Sequence, residues 1–451
     1  MTKTAYENLS DFVYGKSLKP INLKNGMIIG GGTVYPEINF TLPPMAIEKN
    51  TMPEVIKNYK EIITGICERA VQLYVPGFVA EIETLPPMTE NPEWGIEVCK
   101  TIVDIIKEFE KHGIKGAVRI TPNDIREGNS LEHMWYGRHW DAMIKTFEGC
   151  AKAGADFLSI ESVGGKETHD EAVMYCDIEK SIFALSILGC KDMNKLWAEI
   201  VNIANKTGVI AAGDTACGFA NTAMVLADKN YIPKVFSAVV RVVSAVRNLV
   251  AIESGAKGPH KDCGYEGVYV KAITGTPISA EGRTAACAHL SPVGNISACL
   301  ADIWSNESVQ NIKLLGGMAP TVSFEQLAYD CRLMNEATKK GHNIILRDLY
   351  ADSDSYLDPQ AYILRPDVVL DISKELVKAE GYYNRAKKAA SLAIEYMQKG
   401  YDTKRLNLNE KEIMWLDNLA ETVENMPSDQ GEFIENILSE CETLDPKKYD
   451  M

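Results

Sequence analysis

The sequence lacks the segments that mark an exported or membrane-embedded protein. Its first twenty residues contain no apolar core of about 7 to 15 residues, so we expect no signal peptide. No stretch reaches about 18 uninterrupted apolar residues. The most apolar stretch, 235–252, is broken by Arg241 and Arg247, and its pattern predicts a helix that runs into a buried strand. We therefore expect a chain that does not enter a membrane.

Basic residues are outnumbered, and cysteines are sparse. The 47 Lys and Arg residues face 62 Asp and Glu residues, which gives a formal net charge of −15. Nucleic acids and anionic lipids bind clustered Lys and Arg, so this balance argues against nucleic acid as a partner. The 11 cysteines are odd in number and irregularly spaced, which excludes a secreted disulfide scaffold. These features predict a protein of the reducing cytoplasm.

Several catalytic signatures are also missing. The chain has no nucleophile elbow, no Walker loop, no dinucleotide-binding glycine loop and no HExxH motif. Acyl transfer by a serine triad and phosphoryl transfer therefore have no support in the sequence.

The chain does contain short β-branched runs that alternate with longer amphipathic stretches. We predict strands at 77–82, 116–120, 156–160, 209–212, 249–252 and 311–315. We predict helices at 53–72, 94–112, 141–153, 195–207 and 220–248. Such alternation predicts βαβ units and a parallel sheet. Without a dinucleotide-binding motif, the pattern favours an α/β fold of the (β/α)8 TIM barrel type over a doubly wound sheet.

The alternation ends near residue 347, which indicates two regions. We assign residues 1–350 to a barrel domain with an irregular, Gly- and Pro-rich N-terminal extension. We assign residues 351–451 to a C-terminal helical segment that packs on the barrel. Its helices are predicted at 371–399, 410–424 and 429–440.

Three residues that follow predicted strands have side chains of the types that bind metal ions. Glu161 follows DFLSI, Cys217 lies in GDTACGFANTAM after a second strand, and Cys263 lies in KDCGYEG. In a barrel, residues at the carboxyl ends of strands converge on one face. Two thiolates and one carboxylate suit a catalytic zinc ion, which takes three protein ligands and keeps a fourth position open.

Other assignments are open on the same residues. A cysteine in a cytosolic protein is most often a small buried apolar side chain. His260 with Cys263, or Cys287 with His289 in TAACAHLSP, offers a different ligand set. The second of these pairs is also consistent with an ordinary polar turn.

Six phrases resemble one enzyme family. The phrases are LSIESVGGKE, AAGDTACGFANTAM, AIESGAKGPHKDCGYEGVYVKAITG, CAHLSPVGN, DIWSNESV and LAYDCRLMN. They are similar to the zinc-containing catalytic subunit of methanol:corrinoid methyltransferases, over a region from YPEINF to DPQAYIL. The resemblance implies a (β/α)8 barrel and one zinc ion per chain, held by Glu161, Cys217 and Cys263.

The same resemblance implies an activity and partners. The methyl group of methanol would pass to the Co(I) corrinoid of a separate corrinoid protein, giving methyl-Co(III) corrinoid and water. That protein is expected to dock at the C-terminal face of the barrel. The resemblance also implies a homodimer of this subunit within a larger complex. The 235–250 helix and the C-terminal helices are candidates for the apolar surface, and either is equally consistent with a place in the core.

A proton must reach the departing oxygen, and two carboxylates are candidates. Asp214 lies three residues before Cys217, and Glu83 lies at a neighbouring strand end. Asp214 is also suited to orienting a ligand through hydrogen bonds. Glu83, with its neighbour Glu81, is also typical of a solvated rim.

Two further functions remain open at this stage. The first is a zinc-dependent methyltransferase that uses another methyl donor or acceptor, such as a methoxylated aromatic compound or a thiol like homocysteine. A more sulfur-rich zinc shell would favour the thiol. The second is a non-catalytic scaffold that binds a corrinoid protein, for which four protein ligands to a structural zinc would be evidence.

Overall fold

The computed structural model describes residues 3–40, 42, 45–126, 132–288, 290–301, 303–308, 313–314, 317–440 and 444–451, with backbone alone for 288, 303–308 and 313–314. The strands are β1 (Lys16–Asn22), β2 (Ile28–Gly31), β3 (Tyr35–Phe40), β4 (Phe78–Thr84), β5 (Gly116–Pro122), β6 (Phe157–Ile160), β7 (Ile210–Asp214), β8 (His260–Asp262), β9 (Ile278–Glu281), β10 (Ile303–Ser308), β11 (Lys313–Leu314) and β12 (Gly317–Met318).

Helices follow or connect most of these strands. The helices are α1 (Met52–Gln72), α2 (Pro86–Glu90), α3 (Pro92–Glu110), α4 (Arg138–Ala153), α5 (Lys166–Met174), α6 (Ile178–Phe183), α7 (Cys190–Thr207), α8 (Thr222–Asp228), α9 (Lys234–Glu253), α10 (Gly267–Thr274), α11 (Arg283–Ala288), α12 (Ile296–Leu300), α13 (Ala319–Lys339), α14 (Asn343–Asp354), α15 (Pro359–Tyr362), α16 (Pro366–Leu376), α17 (Tyr382–Asp402), α18 (Glu410–Asn425) and α19 (Gln430–Glu440).

Eight strands form one parallel sheet in the order β7-β6-β5-β4-β3-β10-β9-β8. The predicted α/β class and parallel sheet are therefore confirmed. The hairpin β1–β2 lies outside this sheet, and its apolar side chains pack with residues from β4, β5, β6 and β7. Because Val79, Ala117 and Phe157 lie early in their strands, the hairpin covers the amino ends of the sheet and leaves the carboxyl ends for the site.

Four predicted strands were correct, but two were wrong or incomplete. Residues 249–252 lie inside α9, because the apolar residues there continue a helix that is buried all round. Of 311–315, only 313–314 fall within the described residues, and they pair with β12 outside the large sheet. The pattern also missed β3, β8, β9 and β10. Strand β8 has the sequence HKD, so no apolar run marks it.

Two long predicted helices are interrupted. Residues 220–248 form α8 and α9, which are separated by a turn that ends at Pro233. Residues 371–399 contribute to α16 and α17, which are separated at Gly381, where φ is +78°. Proline fixes φ at the start of α9, and glycine supplies the positive φ before α17, so both breaks have a local cause.

Helix α9 is the buried centre of the helical layer. It is long and apolar enough to cross a membrane by composition, but 94% of its most apolar window is buried inside the protein. Residues 235–251 are all buried, so this helix does not offer the surface for self-association suggested by the sequence. The C-terminal helices pack on it, and Glu412 of α18 accepts hydrogen bonds from the backbone N–H groups of Lys234 (3.0 Å) and Val235 (2.9 Å).

Candidate metal centre

Glu161, Cys217 and Cys263 meet at the carboxyl ends of three strands. Glu161 directly follows β6 and forms a bridge with Asn123 beyond β5. Cys217 opens a π-helical turn, Cys217–Asn221, three residues beyond β7. Cys263 directly follows β8. All three residues therefore lie at or just beyond strand ends, as predicted, although the strand before Cys263 is β8 and not 249–252; their role as metal ligands stays a prediction.

The three side chains are close enough to share one ion. Their candidate ligand atoms all lie within 4.8 Å of one another, and they form the one such group of three or more among the described residues. Cys263 Sγ lies 3.4 Å from Glu161 Oε1. Zinc–ligand bonds of about 2.0–2.3 Å in a tetrahedron place ligand atoms roughly 3.5 Å apart. The two thiols and the carboxylate therefore fit a zinc ion, provided that their ligand atoms move slightly closer together.

Polar neighbours orient both sulfur atoms. Asn221 Nδ2 donates to Cys217 Sγ at 3.1 Å, across one turn of the π-helical segment. Thr215 Oγ1 lies 3.5 Å from Cys263 Sγ and accepts from the Cys263 backbone N–H at 3.3 Å. Burial, and then Cys217 and Glu161, raise the pKa of Cys263 well above its ordinary value. A bound cation is the group that would reverse this shift and stabilise the thiolates.

A buried lysine links Glu161 to two further carboxylates. Lys261 Nζ lies 2.8 Å from Glu161 Oε1, 2.8 Å from Glu81 Oε1 and 3.1 Å from Glu83 Oε1. Burial lowers the pKa of Lys261, but Glu161, Glu81 and Glu83 outweigh it and raise that pKa well above 10.5. Burial also raises the pKa of Glu81, against the opposing effect of Lys261. Glu83 additionally accepts from Asn39 Nδ2 at 2.8 Å.

Asp214 is fully buried and contacts the loop that follows Glu161. Its Oδ2 accepts from Trp197 Nε1 at 2.9 Å, and its Oδ1 accepts from Ser162 N at 3.2 Å. Arg247 Nη1 lies 3.4 Å from the same Oδ1. Burial raises the pKa of Asp214, and Arg247 opposes that shift. The carboxylate thus fixes the backbone immediately after Glu161.

Helix α9 supplies three polar side chains to the loops that carry the ligands. Arg247 Nη2 donates to Ser162 O at 2.7 Å, and its guanidinium lies 4.5 Å from the Phe219 ring centroid. Arg241 donates to Gly264 O, next to Cys263. Asn248 donates to Glu266 in the loop after β8, and Glu266 Oε1 also accepts from Ala216 N at 2.7 Å in the loop after β7. One buried helix therefore holds all three ligand loops.

The alternative ligand sets are not assembled in the described part of the chain. His260 lies buried within β8 and outside the three-residue group, and burial lowers its pKa to about 3. Cys287 is exposed on α11, and His289 lies outside the described residues.

Sequence reasoning missed the residues that support the ligands. Lys261, Trp197 and Glu266 received no functional assignment, because their partners come from distant parts of the chain. Arg241 and Arg247 did carry a signal, since an arginine inside an otherwise apolar helix needs a buried polar partner. Without the fold, the two arginines argue only against a membrane span.

Comparisons with known proteins identify the family of the chain. The family model for MtaB, the methanol-cobalamin methyltransferase B subunit, matches residues 1–450. The methanol–corrinoid protein co-methyltransferase of Methanosarcina barkeri (strain Fusaro / DSM 804) is 40% identical over 99% of this chain and 98% of its own length. The crystal structure of the methanol:cobalamin methyltransferase complex MtaBC from Methanosarcina barkeri matches with a TM-score of 0.95 and 38% identity, covering 100% of this chain and 99% of the matched chain. The family resemblance in the sequence is thereby confirmed, and the chain belongs to the methanol-cobalamin methyltransferase B subunit family.

Proposed function

We propose that this chain transfers the methyl group of methanol to the corrinoid of a partner protein, at a zinc ion held by Glu161, Cys217 and Cys263. The observation that carries the proposal is the convergence of these ligand atoms within 4.8 Å in a member of this family. The name of the relative, a methanol–corrinoid protein co-methyltransferase, supports methanol over a methoxylated aromatic donor.

The residues around the ligands prepare the site for one cation and one small alcohol. When bound, zinc would act as a Lewis acid that polarises the C–O bond of methanol. Asn221 and Thr215 hold the two sulfur atoms in place by hydrogen bonds. Lys261 offsets part of the negative charge of the carboxylates, so the site does not depend on the metal alone for charge balance.

The reaction requires one proton and no protein nucleophile. Methanol, a Co(I) corrinoid and a proton give methyl-Co(III) corrinoid and water: the C–O bond breaks, and a cobalt electron pair forms the new bond to carbon. Of the two candidate carboxylates, we propose Glu83 as the proton carrier, since its side chain is 18% exposed and contacts Lys261 beside Glu161. We propose Asp214 as a positioning residue, because it is fully buried and both of its oxygen atoms accept hydrogen bonds.

We also propose that the parallel sheet closes into a (β/α)8 barrel formed by residues 1–350, with residues 351–451 as a helical segment packed against it. Two hydrogen bonds between β7 and the segment that leads into β8 support closure: Lys257 N donates to Ala211 O, and Gly258 N donates to Ala212 O, both at 2.8 Å. Closure makes the strands that carry Glu161, Cys217 and Cys263 consecutive neighbours. The corrinoid protein would then dock at the C-terminal face, where these residues lie.

Two further proposals concern the cellular location and the oligomeric state of the enzyme. No disulfide joins any of the ten cysteines among the described residues, which supports a cytoplasmic location. Apolar side chains exposed on α13 and α14, including Leu333 (53%) and Leu349 (63%), support a homodimer.

The proposed function is tested by methanol-dependent conversion of cob(I)alamin to methylcobalamin, followed by absorbance. We expect activity from the zinc-loaded protein, and a loss of about 100-fold or more after metal removal or in Cys217→Ala. Cys287→Ala is the matched control, since it makes the same change at an exposed cysteine outside the cluster. This variant should keep wild-type activity.

Two results would contradict the proposal. A fully zinc-loaded protein that fails to methylate cob(I)alamin from methanol would leave methanol without support as the donor. Activity that survives in Cys217→Ala but is lost in Cys287→Ala would move the metal to the other candidate cysteine.

A further inference from the structure

The C-terminal tail, residues 444–451, lies against the loop that follows Glu161. Tyr449 of the tail is 2% exposed, and its hydroxyl accepts a hydrogen bond from the Gly165 backbone N–H at 2.8 Å. Gly165 has a φ of +86° and immediately precedes α5. Because only residues 162–165 join Glu161 to α5, the position of Gly165 constrains the loop that leads away from Glu161.

Two other backbone N–H groups of this loop also donate to side chains. Ser162 N donates to Asp214 Oδ1 at 3.2 Å, and Val163 N donates to Asp124 Oδ2 at 3.0 Å. Both aspartates belong to the strand ends of the sheet. Tyr449 supplies the corresponding acceptor for Gly165 from a position 284 residues further along the chain.

The tail is anchored by contacts that do not involve the Tyr449 hydroxyl. Asp450 Oδ1 lies 3.1 Å from His133 Nε2, and Asp450 O accepts from Lys191 Nζ at 2.9 Å. Met134 N donates to Lys448 O at 3.3 Å. Removal of the hydroxyl therefore leaves these anchoring contacts in place and removes the acceptor for Gly165 N.

From these contacts we propose that Tyr449 is a positioning residue for the metal centre, whose hydroxyl fixes the loop that presents Glu161. The inference rests on the proposed function, because it takes Glu161 as a zinc ligand. Tyr449 touches neither substrate nor metal, and it acts through Gly165 and the short loop.

The test compares full-length wild type, Tyr449→Phe and Tyr383→Phe. Tyr383 is a matched control, since its buried hydroxyl donates to Pro427 O in the C-terminal helices, away from the loop. In Tyr449→Phe we expect hydrogen exchange of the peptide containing residues 162–166 to be about fivefold faster. Zinc binding, measured by competition with a chelator, should weaken by about fivefold. The unfolding midpoint should stay close to that of wild type.

A cobalt-substituted sample separates loop positioning from general loosening of the fold. In Co2+-loaded Tyr449→Phe, we expect the ligand-field bands to shift while the thiolate charge-transfer bands remain, because only the Glu161 side of the site has moved. Tyr383→Phe should match wild type in every measurement.

Three outcomes would overturn the inference. The first is unchanged exchange and zinc affinity in Tyr449→Phe, and the second is an equal change in Tyr383→Phe. In both of these the wild type still binds zinc, so the proposed function stands. The third is a wild type that binds no zinc, which removes the proposed function and this inference together.

Discussion

Replacement of Lys261 by methionine removes the ammonium group that three carboxylates share. Glu81, Glu83 and Glu161 lie 2.8, 3.1 and 2.8 Å from Lys261 Nζ, and the lysine side chain is 5% exposed. Removing one partner of a buried ion pair costs about 3–5 kcal/mol, because the remaining charge is left uncompensated. We expect Lys261→Met to lose about that much of its free energy of unfolding, in metal-free protein at about pH 8.

The loss of unfolding free energy in Lys261→Met should become smaller as the pH falls. Burial raises the pKa of Glu81, and the variant lacks the lysine that opposes this shift. The folded variant then holds a proton that the unfolded chain releases, so its free energy of unfolding rises as pH decreases. The gain is at most about 1.4 kcal/mol per pH unit for each extra proton. In wild type, the raised pKa of Lys261 gives stability that is fully present below about pH 10, the unfolded value, and is lost only as the pH rises through the folded value.

Urea unfolding of the metal-free proteins, followed by circular dichroism at about pH 8 and about pH 5.5, measures both effects. Lys339→Met is the control, because Lys339 pairs with Glu336 at an exposed site on α13, and this variant should unfold like wild type. An equal loss at both pH values in Lys261→Met, or a loss below about 1 kcal/mol, would refute the reasoning.

Two further predictions concern backbone and helix ends. Gly165→Ala should destabilise the fold by about 1–3 kcal/mol, because φ is +86° and the added Cβ would lie 2.5 Å from Ala184 O. The control Gly341→Ala, with φ +70° and open space around it, should cost only about 1 kcal/mol. Equal losses of unfolding free energy in the two variants, measured by chemical unfolding, would contradict this prediction. Glu412→Ala should cost about 1–2 kcal/mol, since it removes the carboxylate at the N-terminus of α9, and an unchanged unfolding midpoint would contradict the capping role.

The sequence predicted the parts of the fold whose signal is local. Strands β4, β5, β6 and β7 are apolar runs that follow amphipathic helices, so periodicity marked them. Strand β8 was missed because its three residues are polar in sequence and yet buried, with Lys261 paired to Glu81 on another strand. Residues 249–252 were misassigned because a fully buried helix and a buried strand have the same apolar composition.

The candidate site was predictable in part. Position after a strand indicated Glu161, Cys217 and Cys263 as a possible set, and the family resemblance selected that set from its alternatives. Two central parts of the surrounding network were not predictable, because they join residues far apart in the chain: Lys261 meets Glu81 across 180 residues, and Tyr449 meets Gly165 across 284. Only the tertiary fold makes such pairs neighbours.

The site depends on how α9 is rotated about its own axis. Arg241, Arg247 and Asn248 point to the ligand loops from successive turns of this helix. An α-helix advances about 100° per residue, so a single-residue insertion after Val243 would turn Arg247 and Asn248 away from their loops while Arg241 stayed in place. We infer that the length of α9 is as strongly constrained as the identity of the ligands, although none of its residues touches the proposed metal.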